Sequence, residues 1–244
     1  MKEKKIIAIS SGKGGVGKST IAVNLAFALQ SLNFKVGIMD ADITAPNIPL
    51  MLGIKDLSPE ITEGKKIKPV EIHGLSIMSM GILIKDDQPV IWRGPMLHKA
   101  IKQFFVDVQW NPDLDYLIID LPPGTGDAQI SVCQTVKLDG AIIVTTPQNV
   151  AITDSKKALN MFKNMKINIF GYIENMSYFV APDTKKKYNI FNSSLSEENL
   201  KKLDLKCLGQ IPIEINIRES GDSGLQVSNS EINNIFINIA KQIL

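Results

Sequence analysis

The chain has 244 residues, 44% of them apolar and 21% charged. That balance argues against a fibrous or disordered protein, and the length suffices to bury roughly 70–75% of the unfolded surface. A formal net charge of +2 offers no case for a nucleic-acid or anionic-membrane partner. The two cysteines, far apart in sequence, argue against a disulfide framework and for a reducing compartment.

In chain order, a charged start (Lys2 to Lys5) gives way to the short apolar run Ile6–Ile9. The run is too short for a signal-peptide core, and no stretch approaches the ~20 apolar residues of a membrane helix. A cytoplasmic protein without a membrane or nucleic-acid partner is expected. The run reads as a strand, and Gly12-Lys13-Gly14-Gly15-Val16-Gly17-Lys18-Ser19-Thr20 follows it. This fits G-x-x-x-x-G-K-[ST] between a strand and a helix, the context that gives the motif its meaning. Its glycines let successive N–H groups face a phosphate at a helix N-terminus. Lys18 supplies charge for the β- and γ-phosphates, and the Ser19 hydroxyl suits Mg²⁺. A helix is expected over Ser19–Leu32.

The next strand, Val36–Met39, ends in Asp40 and Asp42, two carboxylates on one face of an extended segment. Asp42 is the candidate for orienting an attacking water, and Asp40 lies nearer the metal. Residues 53–88 carry Pro59, Pro69 and scattered short apolar runs, and an insertion with small strands of its own is expected there. A helix over Leu97–Val108 precedes the strand Tyr116–Ile119 and Asp120, an aspartate at a strand's C-terminal edge and a candidate Mg²⁺ ligand. Pro122-Pro123-Gly124-Thr125-Gly126-Asp127 then reads as a loop that senses the γ-phosphate and leads into a helix capped near Asp127. Cys133 falls on that helix.

Strand Ala141–Val144, helix Val150–Met165 and strand Ile169–Ile173 follow. Asn175, just past that last strand, offers a donor and an acceptor together, matching the N6/N7 edge of adenine; ATP is therefore favoured over GTP. Lys185-Lys186-Lys187 reads as a solvated loop face. Cys207–Ile211 is a weaker strand, expected to be buried, so that both cysteines read as packing residues. In the final helix, Glu231–Leu244, residues Ile232, Ile235, Phe236, Ile239 and Ile243 share one face. With Lys241 as its only basic residue, that face is expected to dock on the protein's own sheet.

Continuous apolar runs suit strands buried on both faces, and their alternation with helices implies an α/β fold. The expected architecture is a doubly wound, mostly parallel sheet flanked by helices, forming one domain over residues 1–244.

Taken together, these residues resemble the Mrp-type (ApbC-like) P-loop ATPases, which are iron–sulfur cluster carriers of the deviant Walker A superfamily. The matching stretches are Gly12–Thr20, Asp40–Pro49, Gln88–Met96, Asp115–Asp127, Glu174–Phe179 and Ile217–Gly224. The resemblance implies a homodimer, slow ATP hydrolysis, and cluster assembly or transfer to client apoproteins. It also implies that Lys13 reaches the partner subunit's nucleotide, acting as an arginine finger does. Glu214 stands where the family often has aspartate near the base. Since the sequence starts almost at the loop, the extra N-terminal domain of some members is not expected.

One departure is large. Many members follow Asn-Met-Ser-Tyr with C-P-x-C, whereas here Ala181-Pro182-Asp183-Thr184 stands there. Both sulfur ligands are missing, although a [4Fe–4S] cluster usually takes four thiolates. Two other readings stay open: a MinD/ParA-like positioning ATPase, and a nucleotide-switched adaptor that carries no cluster.

Overall fold

The computed structural model describes residues 3–43, 45–83, 94–191 and 194–244. In chain order its elements are β1 (Lys5–Ser11), α1 (Lys18–Ser31), β2 (Val36–Asp40), α2 (Ile48–Met51), β3 (Val70–Ile72), β4 (Leu75–Ser79) and α3 (Gly94–Asp107). There follow β5 (Tyr116–Asp120), α4 (Asp127–Thr135), β6 (Gly140–Thr145), α5 (Asn149–Asn164) and β7 (Ile169–Glu174). The last are β8 (Phe179–Val180), β9 (Lys187–Tyr188), α6 (Ser194–Lys201), β10 (Cys207–Gln210), α7 (Ile215–Ser223) and α8 (Ser230–Lys241).

An 8-stranded sheet in the order β10-β7-β6-β1-β5-β2-β4-β3 forms the centre, and β8 and β9 form a separate hairpin. Within the sheet every pairing is parallel except that of β3 with β4. β2, β5 and β6 are buried along their whole length, which is why their sequences run continuously apolar rather than alternating. Alternate residues serve two cores. Ile7 and Ile9 face the layer that holds α1 and α8, while Ala8 faces the layer of α3 and α4.

Of the segment expected to form an insertion, β4 lies inside the central sheet, in parallel register with β2 (Ile38 with Ile77, Asp40 with Ser79). β3 then closes that edge antiparallel. Residues 84–88 of that segment, and all of Gln88–Met96 up to residue 93, lie outside the described residues.

The parallel strands all end on one side of the sheet. The chain fans out from β1 in both directions, towards β5, β2 and β4 and towards β6, β7 and β10. Ligands of such sheets bind at the carboxyl ends of the strands beside this reversal.

The C-terminal helix docks as its periodicity requires. Ile232, Phe236, Ile239 and Ile243 are buried in the α1 layer, and Ile235 packs partly buried beside them. Asn229 caps the helix by accepting from Glu231 N and Ile232 N, and Gln242 ties its end to the Leu208 carbonyl at 2.8 Å. Phe236→Ala is expected to lower unfolding free energy by about 3–5 kcal/mol, read from urea denaturation. Val106→Ala, on the exposed side of α3, is expected to change it by no more than about 0.5 kcal/mol.

Candidate functional site

The phosphate-cradle sequence forms the turn between β1 and α1. Gly17 holds φ 82° at the N-cap of α1 and contributes no side-chain cap, leaving the first N–H groups of the helix for a ligand. A side chain at Gly17 would also collide with Asn175, whose Nδ2 lies 2.2 Å from where a Cβ would stand. Gly12 has a different reason. A Cβ there would sit 2.1 Å from the backbone carbon of Asp154, so the loop's first residue lies directly against the backbone of α5.

Behind the loop, two neighbouring strands end in register on Asp40 and Asp120. Both carboxylates are fully buried. Asp120 accepts from Lys18 Nζ at 2.5 Å through one oxygen and from Ser19 Oγ at 2.5 Å through the other. Burial raises its pKa, against the opposing pull of the Lys18 charge. Asp40 is pushed up to about 8 by burial and then by the adjacent Asp120 charge. Its carboxylate also organises the loop after β2: Oδ1 accepts from Asp42 N at 3.1 Å, and Oδ2 from Ser79 Oγ at 3.0 Å and Ile48 N at 3.3 Å.

A cleft of about 740 Å³ opens over the loop. Gly14, Gly15, Gly17, Lys18, Ser19, Thr20, Asp42 and Asn175 all line it. Asp42 accepts from Ala45 N at 3.2 Å. Five of the sequence candidates do not line the cavity: Val16 packs inward, Gly12 lies against α5, Asp40 and Asp120 lie beneath the floor, and Lys13 is the fifth. Lys13 is half-buried, and its ammonium makes no hydrogen bond or ion pair with a described residue. Asn175 donates Nδ2 to the Val16 carbonyl at 2.9 Å, a tie between β7 and the loop that its expected adenine contact did not anticipate.

The far wall was not legible from the loop motif. It comes from α2 (Leu50, Met51) and from the segment leading into α7, with Ile213, Glu214, Ile217 and Arg218 facing the cavity. Glu214 is the N-cap of α7, accepting from Asn216 N, and Arg218 bonds Asp222 at 2.9 Å within that helix. The matching stretch Ile217–Gly224 and the position of Glu214 were the signals for this wall.

The loop expected to sense the γ-phosphate is bonded to β1: Gly124, at φ 87°, donates its N–H to the Ser11 carbonyl at 3.0 Å. The helix beyond it starts at Asp127 and is capped by Gly126, with no side-chain bond.

Ala181-Pro182-Asp183-Thr184 forms the tip of the β8–β9 hairpin, with Asp183 and Thr184 exposed. Cys133 is buried in α4, and burial pushes its thiol up to about 12. Cys207, expected in a buried strand, is exposed, because β10 is the edge of the sheet. It starts its strand, at the end of the sheet remote from the cleft. Among the described residues, no group of three or more His, Cys, Asp or Glu side chains is placed to hold a metal, and no helix is long and apolar enough to cross a membrane.

Comparison with known proteins agrees with this geometry. The model of the NUBPL iron-transfer P-loop NTPase family (ParA) matches residues 2–244. The iron–sulfur cluster carrier protein of Synechocystis sp. is 51% identical over 228 residues, or 92% of this chain; the chain spans 64% of that relative's length. The nucleotide-binding protein of Archaeoglobus fulgidus, solved in complex with ADP, superposes with a TM-score of 0.81 at 34% identity, covering 94% of this chain and 90% of that one. The septum site-determining protein MinD of Pyrococcus horikoshii has a TM-score of 0.72 at 24% identity, over 99% of this chain and 96% of that one; it shares the fold. The chain belongs to the NUBPL iron-transfer P-loop NTPase family, whose members include iron–sulfur cluster carrier proteins.

Proposed function

We propose that the chain is a homodimeric, slowly hydrolysing ATPase that binds ATP with Mg²⁺ in this cleft and serves iron–sulfur cluster assembly or transfer to client apoproteins. The observation that carries this reading is the joining of Lys18 and Ser19 to Asp120 beneath a glycine-rich helix N-terminus. Nothing in a plain packing role calls for a lysine, a hydroxyl and a carboxylate converging there. The ADP held by the Archaeoglobus fulgidus protein supports the same site here.

Ser19, Asp120 and Asp40 offer a hydroxyl and two carboxylates, a donor set of hard oxygens that fits Mg²⁺. When bound, the ion neutralises phosphate charge. The protein's own part follows from its residues. Lys18 carries charge to the β- and γ-phosphates once a ligand competes with Asp120 for it. The loop's N–H groups, Gly14 to Thr20, hold phosphate oxygens. Asp42, at the cavity wall, orients water, and Asn175 keeps a second amide hydrogen and its carbonyl for adenine. Lys13, without a described partner of its own, is the residue that serves the other subunit's nucleotide.

A second reading, an adaptor that is switched by nucleotide and carries no cluster itself, draws support from the hairpin tip, where Ala181 and Thr184 stand in place of thiols. The two readings separate on anaerobic reconstitution with iron and sulfide, followed by visible absorbance and iron counted per dimer. A stable cluster supports the carrier; ATP binding without a cluster supports the adaptor.

Lys18→Ala is expected to weaken binding of a fluorescent ADP analogue about 100-fold or more. Lys13→Ala is expected to leave that affinity within about threefold while slowing single-turnover phosphate release about 10²–10³-fold. Equal losses of binding and turnover in the Lys13 variant would remove its cross-subunit role. For the thiols, Cys207 is expected to react with a disulfide reagent at pH 8 in the native protein. Cys133, still protonated there because its pKa lies at about 12, is expected to react only after unfolding in guanidinium.

A further inference from the structure

Gln129 sits in the first turn of α4, immediately after the γ-phosphate-sensing loop, and is 1% exposed. Its Nε2 donates to Ser10 Oγ in a short contact. Its Oε1 is the one buried side-chain N or O atom among the described residues without a hydrogen-bond partner. A buried carbonyl oxygen without a protein donor is costly, so a donor that can reach it in another state would be favoured.

The local sequence indicates what the missing donor is. Gly126 is the N-cap of α4 and has no side chain to cap with, which places Gln129 at the third helical position. A Gln there ordinarily reaches back to the N–H of the N-cap residue, the second half of a capping box. Here Ser10 holds the amide against β1 instead. Ser10 precedes Ser11, which lines the cleft and whose carbonyl takes the Gly124 N–H at 3.0 Å. Two bonds, one on each side of the loop's Thr125–Gly126 tip, therefore tie the sensing loop to the last two residues of β1 before the phosphate cradle.

We propose that Gln129 is a positioning residue for nucleotide turnover: in the triphosphate-bound state the sensing loop brings the Gly126 N–H to Gln129 Oε1, while Nε2 keeps its hold on Ser10. The amide then links loop, helix and β1 as one unit. With diphosphate, or with no nucleotide, Oε1 stays without a donor and the Gly126 N–H is not held. The inference rests on the ATPase reading above and assigns a discriminating contact to that same site.

The test compares the full-length protein with Gln129→Met, which matches size without hydrogen bonding, and Gln129→Glu, which keeps an acceptor for Gly126 and one for the Ser10 hydroxyl. Affinities for fluorescent ADP and ATP analogues and kcat and KM for phosphate release are measured in each. The Met variant is expected to hold ADP within about twofold, to lose its preference for ATP over ADP, and to lose about tenfold in kcat with little change in KM. The Glu variant is expected to recover most of that loss. Ser10→Ala, which removes the other end of the bridge, is expected to reproduce the Met defect and serves in its place if the Met protein does not fold. A Met or Ser10→Ala protein with unaltered kcat and preference would overturn the proposal. So would a loss of ADP affinity parallel to the loss of kcat, with no rescue by Glu, since that marks plain structural damage. Absence of ATP turnover in the unaltered protein would overturn the ATPase reading and this proposal with it.

Discussion

Lys18 and Asp120 meet at 2.5 Å with 7% and 0% of their side chains exposed, and much of the site's arrangement refers to this pair. A buried ion pair is weak support for stability, because desolvation offsets most of the attraction, whereas removing one partner strands the other at a cost of about 3–5 kcal/mol. Its value here is positional. Asp120 ends the strand beside β1, Lys18 opens the helix that leaves β1, and the bond between them fixes the loop's exit against the sheet. Ser19 takes the second oxygen of the same carboxylate, so the first two residues of α1 are registered on one anchor.

The anchor also has beside it a second carboxyl group that resists carrying charge. Asp40 stands in register with Asp120 on the adjacent strand, and its pKa is pushed up to about 8 by burial first and by the Asp120 charge second, against the pull of Lys18. Such a cluster is poorly matched to its own surroundings and well matched to an added positive ion. The Ser79 hydroxyl and the N–H groups of Asp42 and Ile48 steady Asp40 from the far side. One carboxylate thereby couples the floor of the site to the start of α2, whose Leu50 and Met51 form part of the opposite wall.

This arrangement explains what sequence could and could not disclose. Strands at the centre are buried on both faces and announce themselves as apolar runs, so β1, β2, β5, β6 and β7 were legible to within a residue or two. β4 is equally buried, yet it reads Leu-Ser-Ile-Met-Ser, because Ser76 is matched by Glu71 across the hairpin and Ser79 by Asp40. Polar residues satisfied by tertiary partners break the run, and the partners are invisible in a linear reading. The phosphate loop was legible because its groups are contiguous. The wall built by α2 and α7 was not, since it brings together residues about 170 positions apart. Asn175 shows the same limit from the other side: a strand-end asparagine suggests a ligand contact, but its bond to the Val16 carbonyl exists only in three dimensions.

The cysteines carry the consequence furthest. A thiol serves a cluster only if it is accessible and placed beside others, and among the described residues neither cysteine meets both conditions within one subunit. Cys133 is held as a protonated core residue of the α4 layer, and Cys207 lies at the opposite end of the sheet from the cleft. The hairpin tip at Ala181–Thr184 is nevertheless tied to the nucleotide side: Phe179 bridges to Ile213, and Ile213 N–H donates to the Tyr178 carbonyl at 2.7 Å, beside a residue pair, Ile213 and Glu214, that lines the cleft. Backbone contacts from the cleft wall to the hairpin are therefore present without sulfur ligands at the hairpin's tip. On the proposed reading, a change at the cleft wall would reach the hairpin through these two backbone contacts, and that path does not depend on whether this chain or a partner holds the cargo.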